Sequence, residues 1–405
     1  MKHSTKSLSY LTCIALGILL GSVSLANAAE KIEKKEWAIL TYLNGFNSLD
    51  SFGYSNMNDM EKVGSTARVH VVSQWASLQT KEVHRIYVNK DSDPTHVTSP
   101  VVENLGQIDM GDYRSLVEFV KWAVKKYPAE HYFVNVWNHG NGWHFSKNQG
   151  GVTTRDLSYD DLSGNKITTE QLGIAMSDIS REIGQKVDIF GSDSCLMAMA
   201  EVVGEMKGSV AHFVGSEEVE PADGWPYEKF LARINTGEKK SAAEVSEILA
   251  KAYSDSYEGG RQATLSGMDL AQYGTLATAV RDLGEAMKAQ SVAARQKIFQ
   301  AMTRAQSFTN DDYKDLGDFV DQISADPATG ICPEVLVGVK TALKLFVTSN
   351  HPTTDMARAQ GVPIWFPSSA WQFDSYKDRY KALNFNQDTA WIDAITATLT
   401  ASSLL

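Results

Sequence analysis

Residues 187–203 read VDIFGSDSCLMAMAEVV. Val187 to Phe190 is a short apolar run of the kind that forms a buried strand. A polar turn, Gly191-Ser192-Asp193-Ser194, follows it, and Cys195 then opens an apolar segment with helical spacing. A strand that gives way to a helix across a polar turn is the unit from which parallel sheets are built. Loops at the carboxyl ends of such strands are where ligands bind. A cysteine at a helix start sits beside unpaired N–H groups and the positive end of the helix dipole, both of which favour thiolate. The competing reading is a buried structural cysteine. The polar residues just before Cys195 argue against it.

Working outward, similar apolar, β-rich runs recur at 37–43, 69–74, 84–88, 132–137 and 212–216. Helix-like segments lie between them. SLVEFVKWAVKKY (115–127) repeats its apolar residues on one helical face and is stopped by Pro128. TEQLGIAMSDISREIG (169–184) does the same and ends on Gly184. The alternation predicts an α/β fold with a mostly parallel sheet covered on both faces. Beyond about residue 235 helical patterns dominate, interrupted by one late strand, GVPIWFP (361–367). The polar segment 144–168 carries Lys147, Arg155 and Lys166 and reads as an exposed loop.

The chain has 405 residues, 43% of them hydrophobic and 21% charged, which is the composition of a globular protein with a large core. A net charge of −11 argues against nucleic acid or an anionic membrane as the main partner. Residues 1–28 carry Lys2 and Lys6, then an apolar stretch, then Ala26-Asn27-Ala28, the pattern of a secretory signal peptide. Its removal takes two lysines and no acid, leaving −13. It also removes Cys13, so only Cys195 and Cys332 stay, too few for a disulfide framework. The expected organisation is a signal peptide at 1–28, a catalytic core at 29–235 and a helix-rich part at 236–405 that packs on and completes the core.

A second strand end resembles the first. FVNVW (133–137) runs into NHGNGWH, placing His139 just past a buried strand, as Cys195 lies just past another. Parallel packing would bring both loops to one rim, making Cys195 and His139 a candidate nucleophile and base. A core histidine and a metal ligand paired with His144 are the alternatives, and one pair is weak metal-ligand spacing. The N–H groups of Gly140 and Cys195 could hold an oxyanion, each worth roughly 3 kcal/mol in the transition state. Asp193, two residues before the cysteine, could receive a cationic substrate side chain. Asp223 is a second acid in a loop. Glu217, Glu218 and Glu220 beside it read as a solvated face of an acidic protein.

These blocks resemble the clostripain-type cysteine peptidases, in the caspase-like clan with legumain, gingipains and separase. WAILTYLNGFNSLD is similar to that family's first strand and turn. VVENLGQIDMGDYRSLVEFVKWAVKKYPAEHYFVNVWNHGNGW is similar to its histidine block, and VDIFGSDSCLMAMAEV to its cysteine block. GSEEVEPADGWPY, LSGMDL and GVPIWFP echo later blocks. The resemblance implies a caspase-like three-layer sandwich and a dyad of Cys195 and His139. It implies cleavage after Arg or Lys, with Asp193 and Asp223 matching the acids of the pocket for that side chain. It implies self-processing in the loop after the histidine block, where Arg155 is favoured over Lys147 and Lys166. No cofactor is required for such chemistry. Calcium enters as a candidate activator without named ligands. Two positions depart from the pattern: Asn138 stands where the family usually has Asp, and Phe46-Asn47 where it usually has Asp-Asn.

The expectation is therefore a secreted or periplasmic cysteine endopeptidase acting on proteins or peptides with Arg or Lys before the cut. The alternatives are an acyl-transfer enzyme that is not a peptidase, and a binding protein for basic peptides on a peptidase scaffold.

Overall fold

The structure is a computed structural model that describes residues 1, 34–144 and 157–402. Eleven strands are found among the described residues: β1 (Lys35–Gly45), β2 (Val69–Ser77), β3 (Glu82–Tyr87), β4 (Val101–Asn104), β5 (Ala129–Trp137), β6 (Val187–Asp193), β7 (Val210–Gly215), β8 (Ser266–Asp269), β9 (Tyr313–Asp315), β10 (Val347–Asn350) and β11 (Pro363–Trp365). Nine of them form one sheet in the order β10-β8-β7-β6-β5-β1-β2-β3-β4, and β9 pairs with β11 apart from it. The five central strands, β7-β6-β5-β1-β2, run parallel. The pairs outside them are antiparallel. The fold is thus α/β with a mostly parallel sheet, as the alternating pattern predicts.

Burial explains the near-continuous apolar strands. Along β1, Ala38, Leu40 and Tyr42 enter one hydrophobic core while Trp37, Ile39 and Leu43 enter the other. A strand buried on both faces must be apolar on both, which is the signature of a central parallel strand. Helices at 50–61, 227–234 and 242–257 supply the smaller core. Those at 113–126, 169–183, 200–206, 273–288 and 333–346 contribute to the larger one.

Helix ends follow local chemistry. Thr168 and Gln171 form a capping box at the start of helix 169–183, and Gly184 closes it in the left-handed region at φ 79°. The residues beyond 235 give two strands to the main sheet. β8 carries LSGMDL, and β10 follows helix 333–346 directly, with no break in sequence between Phe346 and Val347. Both add to the β7 side of the sheet.

One local expectation fails. The segment from Cys195 does not open a helix. Residues 194–199 follow an irregular path, and the helix begins only at Ala200. Leu196 takes φ 65°, a left-handed conformation that costs a non-glycine residue energy and breaks helical winding. The path is held by sheet-rim hydrogen bonds instead. The N–H of Leu196 donates to the Glu218 carbonyl at 3.2 Å, and that of Ala198 to the Ser216 carbonyl at 3.0 Å.

Candidate active site

Register places the two reactive side chains. On the parallel pair β5–β6, Trp137 is aligned with Asp193. The N–H of Asn138 then donates to the Asp193 carbonyl at 3.2 Å, extending the ladder by one step. His139 and Cys195 each stand two residues beyond that aligned pair, at the carboxyl rim of the sheet. Both line one pocket of about 180 Å³ together with Leu49, Asp193, Glu220 and Gly224. The two loops therefore meet at one rim of the sheet.

Glycine is required where the loops meet. A Cβ on Gly140 would lie 2.5 Å from the Cys195 carbonyl oxygen and 3.1 Å from the Ser194 Cβ. Real Cβ atoms do not approach so closely, so the histidine loop can rest on the cysteine loop only with glycine here. Nearby, Ser48, in the turn after β1, has its Oγ 3.1 Å from His139 Nε2.

Three asparagines hold the histidine loop. Asn138 is buried and donates from Nδ2 to the Asn44 carbonyl at 2.7 Å, while its Oδ1 accepts from the N–H groups of His139 and Tyr159. Asn44 and Asn47 both donate to the Tyr159 carbonyl, at 3.1 and 3.2 Å. An aspartate at 138 could not donate to a carbonyl, so the departure at this position fits its bonding here. Phe46, the other departure, is fully buried in the larger core. Further along the same loop, Trp143 and His144 are fully buried, and His144 Nε2 lies 3.0 Å from Asp312 Oδ2. His144 is thus a fully buried histidine within ion-pair distance of a carboxylate.

Cys195 is half-buried and carries no disulfide; Cys332 is free and exposed. The N–H of Glu220 donates to Cys195 Sγ at 3.3 Å. Burial pushes the thiol up to about 12, outweighing that N–H contact. With no helix N-terminus at Cys195, the expected thiolate-stabilising dipole is missing.

Asp193 is buried in the pocket wall. The Tyr227 hydroxyl donates to its Oδ2 at 2.6 Å and the Trp225 N–H donates to the same atom at 3.4 Å. Desolvation raises its carboxyl to about 6. Glu220, 8% exposed, faces it. Burial and the Asp193 carboxylate push Glu220 well above the ordinary carboxyl range. The glutamates do not form a solvated face: Glu217, Glu218 and Glu220 are all buried, because the loop after β7 folds inward over the rim. Asp223 is exposed and does not line the pocket; its carbonyl accepts from Asn56 Nδ2.

Reasoning from the residues missed Glu220, Ser48 and the asparagine cluster. The signal for Glu220 was its place just past β7, a strand adjacent to β6, where the same strand-end rule applies. Lys166 is half-buried beside the bridge between Leu157 and Ile167. Lys147, Arg155 and the segment 1–28 lie outside the described residues.

A model of the clostripain family, Peptidase C11, matches residues 41–397. The chain belongs to the clostripain family. Clostripain of Hathewaya histolytica is 30% identical over 138 residues, covering 32% of this chain and 26% of that protein. The match thus spans about a quarter of that relative's length. An inactive zymogen C11 protease from Parabacteroides distasonis shares the fold, with a TM-score of 0.68, 18% identity, and coverage of 88% of this chain and 99% of that one. A secreted C11 cysteine protease from Bacteroides thetaiotaomicron, solved with an irreversible peptide inhibitor, gives 0.66, 19%, 88% and 99%. No helix among the described residues is long and apolar enough to cross a membrane.

Proposed function

We propose that this member of the clostripain family is an exported cysteine endopeptidase that cuts after Arg or Lys. The observation that carries the reading is that Cys195, His139 and the buried acid Asp193 line one pocket. Cys195 Sγ attacks the carbonyl carbon of the scissile bond. Burial raises the thiol, so its proton passes to His139 as the substrate docks, and the imidazolium so formed carries the proton that the leaving amine will take. The N–H groups of Gly140 and Cys195 receive the oxyanion. His139 protonates the leaving amine and then draws a proton from water, which attacks the thioester and frees the acid. Asp193 receives the cationic side chain. Asp223, exposed between the lining residues Ala222 and Gly224, adds negative charge at the pocket mouth.

Export rests on the signal-peptide pattern at 1–28, and self-processing on the basic residues Arg155, Lys147 and Lys166 after the histidine block. Calcium remains a candidate activator without assigned ligands.

The test is to express the wild type beside Cys195→Ala and His139→Ala, and to assay fluorogenic peptides ending in Arg, Lys or a neutral residue. Turnover of the basic peptides by the wild type alone is expected, with a self-made cut seen on a denaturing gel only in the wild type. Cutting by Cys195→Ala at the wild-type rate, or equal turnover of neutral peptides, would remove the reading. An alkylatable Cys195 without any peptide turnover would favour an acyl-transfer enzyme of another kind.

A further inference from the structure

Asp193 and Glu220 are not equivalent acids. Asp193 Oδ2 is already engaged by the Tyr227 hydroxyl and the Trp225 N–H. Glu220 receives the Trp225 indole N–H on Oε1 at 3.4 Å, while its Oε2 is buried with no donor on it. A nine-tenths-buried carboxyl with an unused oxygen is costly unless it is protonated or awaits a donor. Both acids line the pocket that holds Cys195 and His139. Glycine at 224, at φ 68°, keeps the approach open: a Cβ there would meet both Asp193 carboxyl oxygens at 3.1 and 3.4 Å.

We propose that Glu220 is a second specificity-determining acid of the basic-side-chain pocket, and that it works with Asp193 as a pair that holds one proton when empty and releases it when a guanidinium or ammonium enters. The proposal rests on the peptidase reading above. The proton departs from the Glu220 carboxyl to solvent. The incoming N–H groups replace it as donors to Glu220 Oε2 and to the free lone pairs of Asp193. The charge balance is then two carboxylates facing one cation in place of one carboxylate facing a neutral acid. Burial and mutual repulsion hold the proton in the empty pocket, and the cation removes the repulsion.

The surrounding groups leave this pair as the proton's site. Cys195 and the hydroxyls of Tyr227, Tyr253 and Tyr257 are the titratable groups that feel the pair's charge. Glu218 also acts on the thiol, Asp223 and Arg261 act on Tyr257, and His139 lines the same pocket. The tyrosines and the thiol are all raised by burial and stay neutral near pH 7. The backbone N–H of Glu220 contacts Cys195 Sγ, so a side chain seated against Glu220 also lies beside the nucleophile.

The experiment uses the mature protein with benzamidine as the probe, titrated by calorimetry at pH 7 in two buffers of different ionisation enthalpy. The wild type is expected to release about one proton per site, and Glu220→Gln about none. With an Arg peptide, Glu220→Gln should raise KM by about tenfold to a hundredfold while kcat moves by less than about threefold. Glu220→Asp, which keeps a carboxyl on a shorter stem, should recover part of both effects. A wild type that binds benzamidine without releasing a proton overturns the proposal, as does a folded Glu220→Gln with unchanged KM. Should Glu220→Gln fail to fold, the wild-type proton count decides alone. A wild type that turns over neither Arg nor Lys peptides removes the peptidase reading and this proposal together. Turnover of basic peptides without the proton signal removes only the proposal.

Discussion

Ser48 Oγ stands 3.1 Å from His139 Nε2, reaching the imidazole from the turn after β1 while the histidine itself follows β5. One hydroxyl therefore links the orientation of the ring to a neighbouring strand. Ser48 is exposed, so its bond competes with water and its contribution is modest. Ser48→Ala is expected to lower kcat by about twofold to tenfold with KM little changed, and to shift the pH profile of kcat. Ser48→Thr, which keeps the hydroxyl, should restore most of the rate. Steady-state kinetics across pH 5 to 9 make the measurement, and a loss confined to KM would contradict the positioning role.

Gly140 leaves no room for a methyl group between the two reactive loops. Gly140→Ala must push the Cys195 carbonyl away by several tenths of an ångström or more. Misplacing a reacting group by about 1 Å can cost about a hundredfold. Gly140→Ala is thus expected to lose activity on that scale or beyond, with a lower melting temperature. Wild-type activity in this variant would show that the loops do not meet as described.

The neutral thiol has a kinetic signature. With Cys195 pushed up to about 12, its alkylation by iodoacetamide should climb about tenfold per pH unit between 7 and 10, without a plateau. Cys332 is exposed and would react too, so the measurement belongs in a Cys332→Ser background. A plateau near pH 7 would indicate a preformed thiolate.

Buried acids make stability fall as the medium turns alkaline. Glu201 is fully buried and accepts the Trp365 N–H and the Tyr380 hydroxyl on Oε1. Desolvation raises it from 4.5 to about 7. Between those values the folded state binds more protons than the unfolded one, so its contribution is complete below about 4.5 and is lost as pH rises through about 7. Glu217 and Asp315 are raised as well and act in the same sense. The urea midpoint should therefore drop between pH 5 and pH 8. Glu201→Gln keeps an acceptor for both donors and should flatten that slope. A midpoint that rises over this interval would contradict the assignment.

The parts of the structure readable from sequence are those that repeat. β1, β5 and β6 are apolar because they are buried on both faces, and burial on both faces is what the runs at 37–43, 132–137 and 187–190 encode. The strand-end rule then brings His139 and Cys195 together from register alone. What failed depends on contacts made across the sequence. LMAMAE has helical spacing, yet Leu196 and Ala198 are drawn out by the carbonyls of Glu218 and Ser216. Glu217, Glu218 and Glu220 resemble a wet surface until the loop after β7 is seen turning inward. β10 could not be separated from its helix because LKLFVTSN has no punctuation between the two.

The segment 145–156 is bounded by two anchors, His144 against Asp312 on one side and Tyr159 under the asparagines on the other. A hydrolytic nick there would put β1 to β5 on one piece and β6 to β11 on the other, joined along the β5–β6 ladder in the middle of the sheet. The two pieces would remain one body in the native state. Once unfolded, they could regain it only by meeting again in solution. Maturation by such a nick would turn a self-refolding chain into a molecule whose lifetime is set by its rate of unfolding.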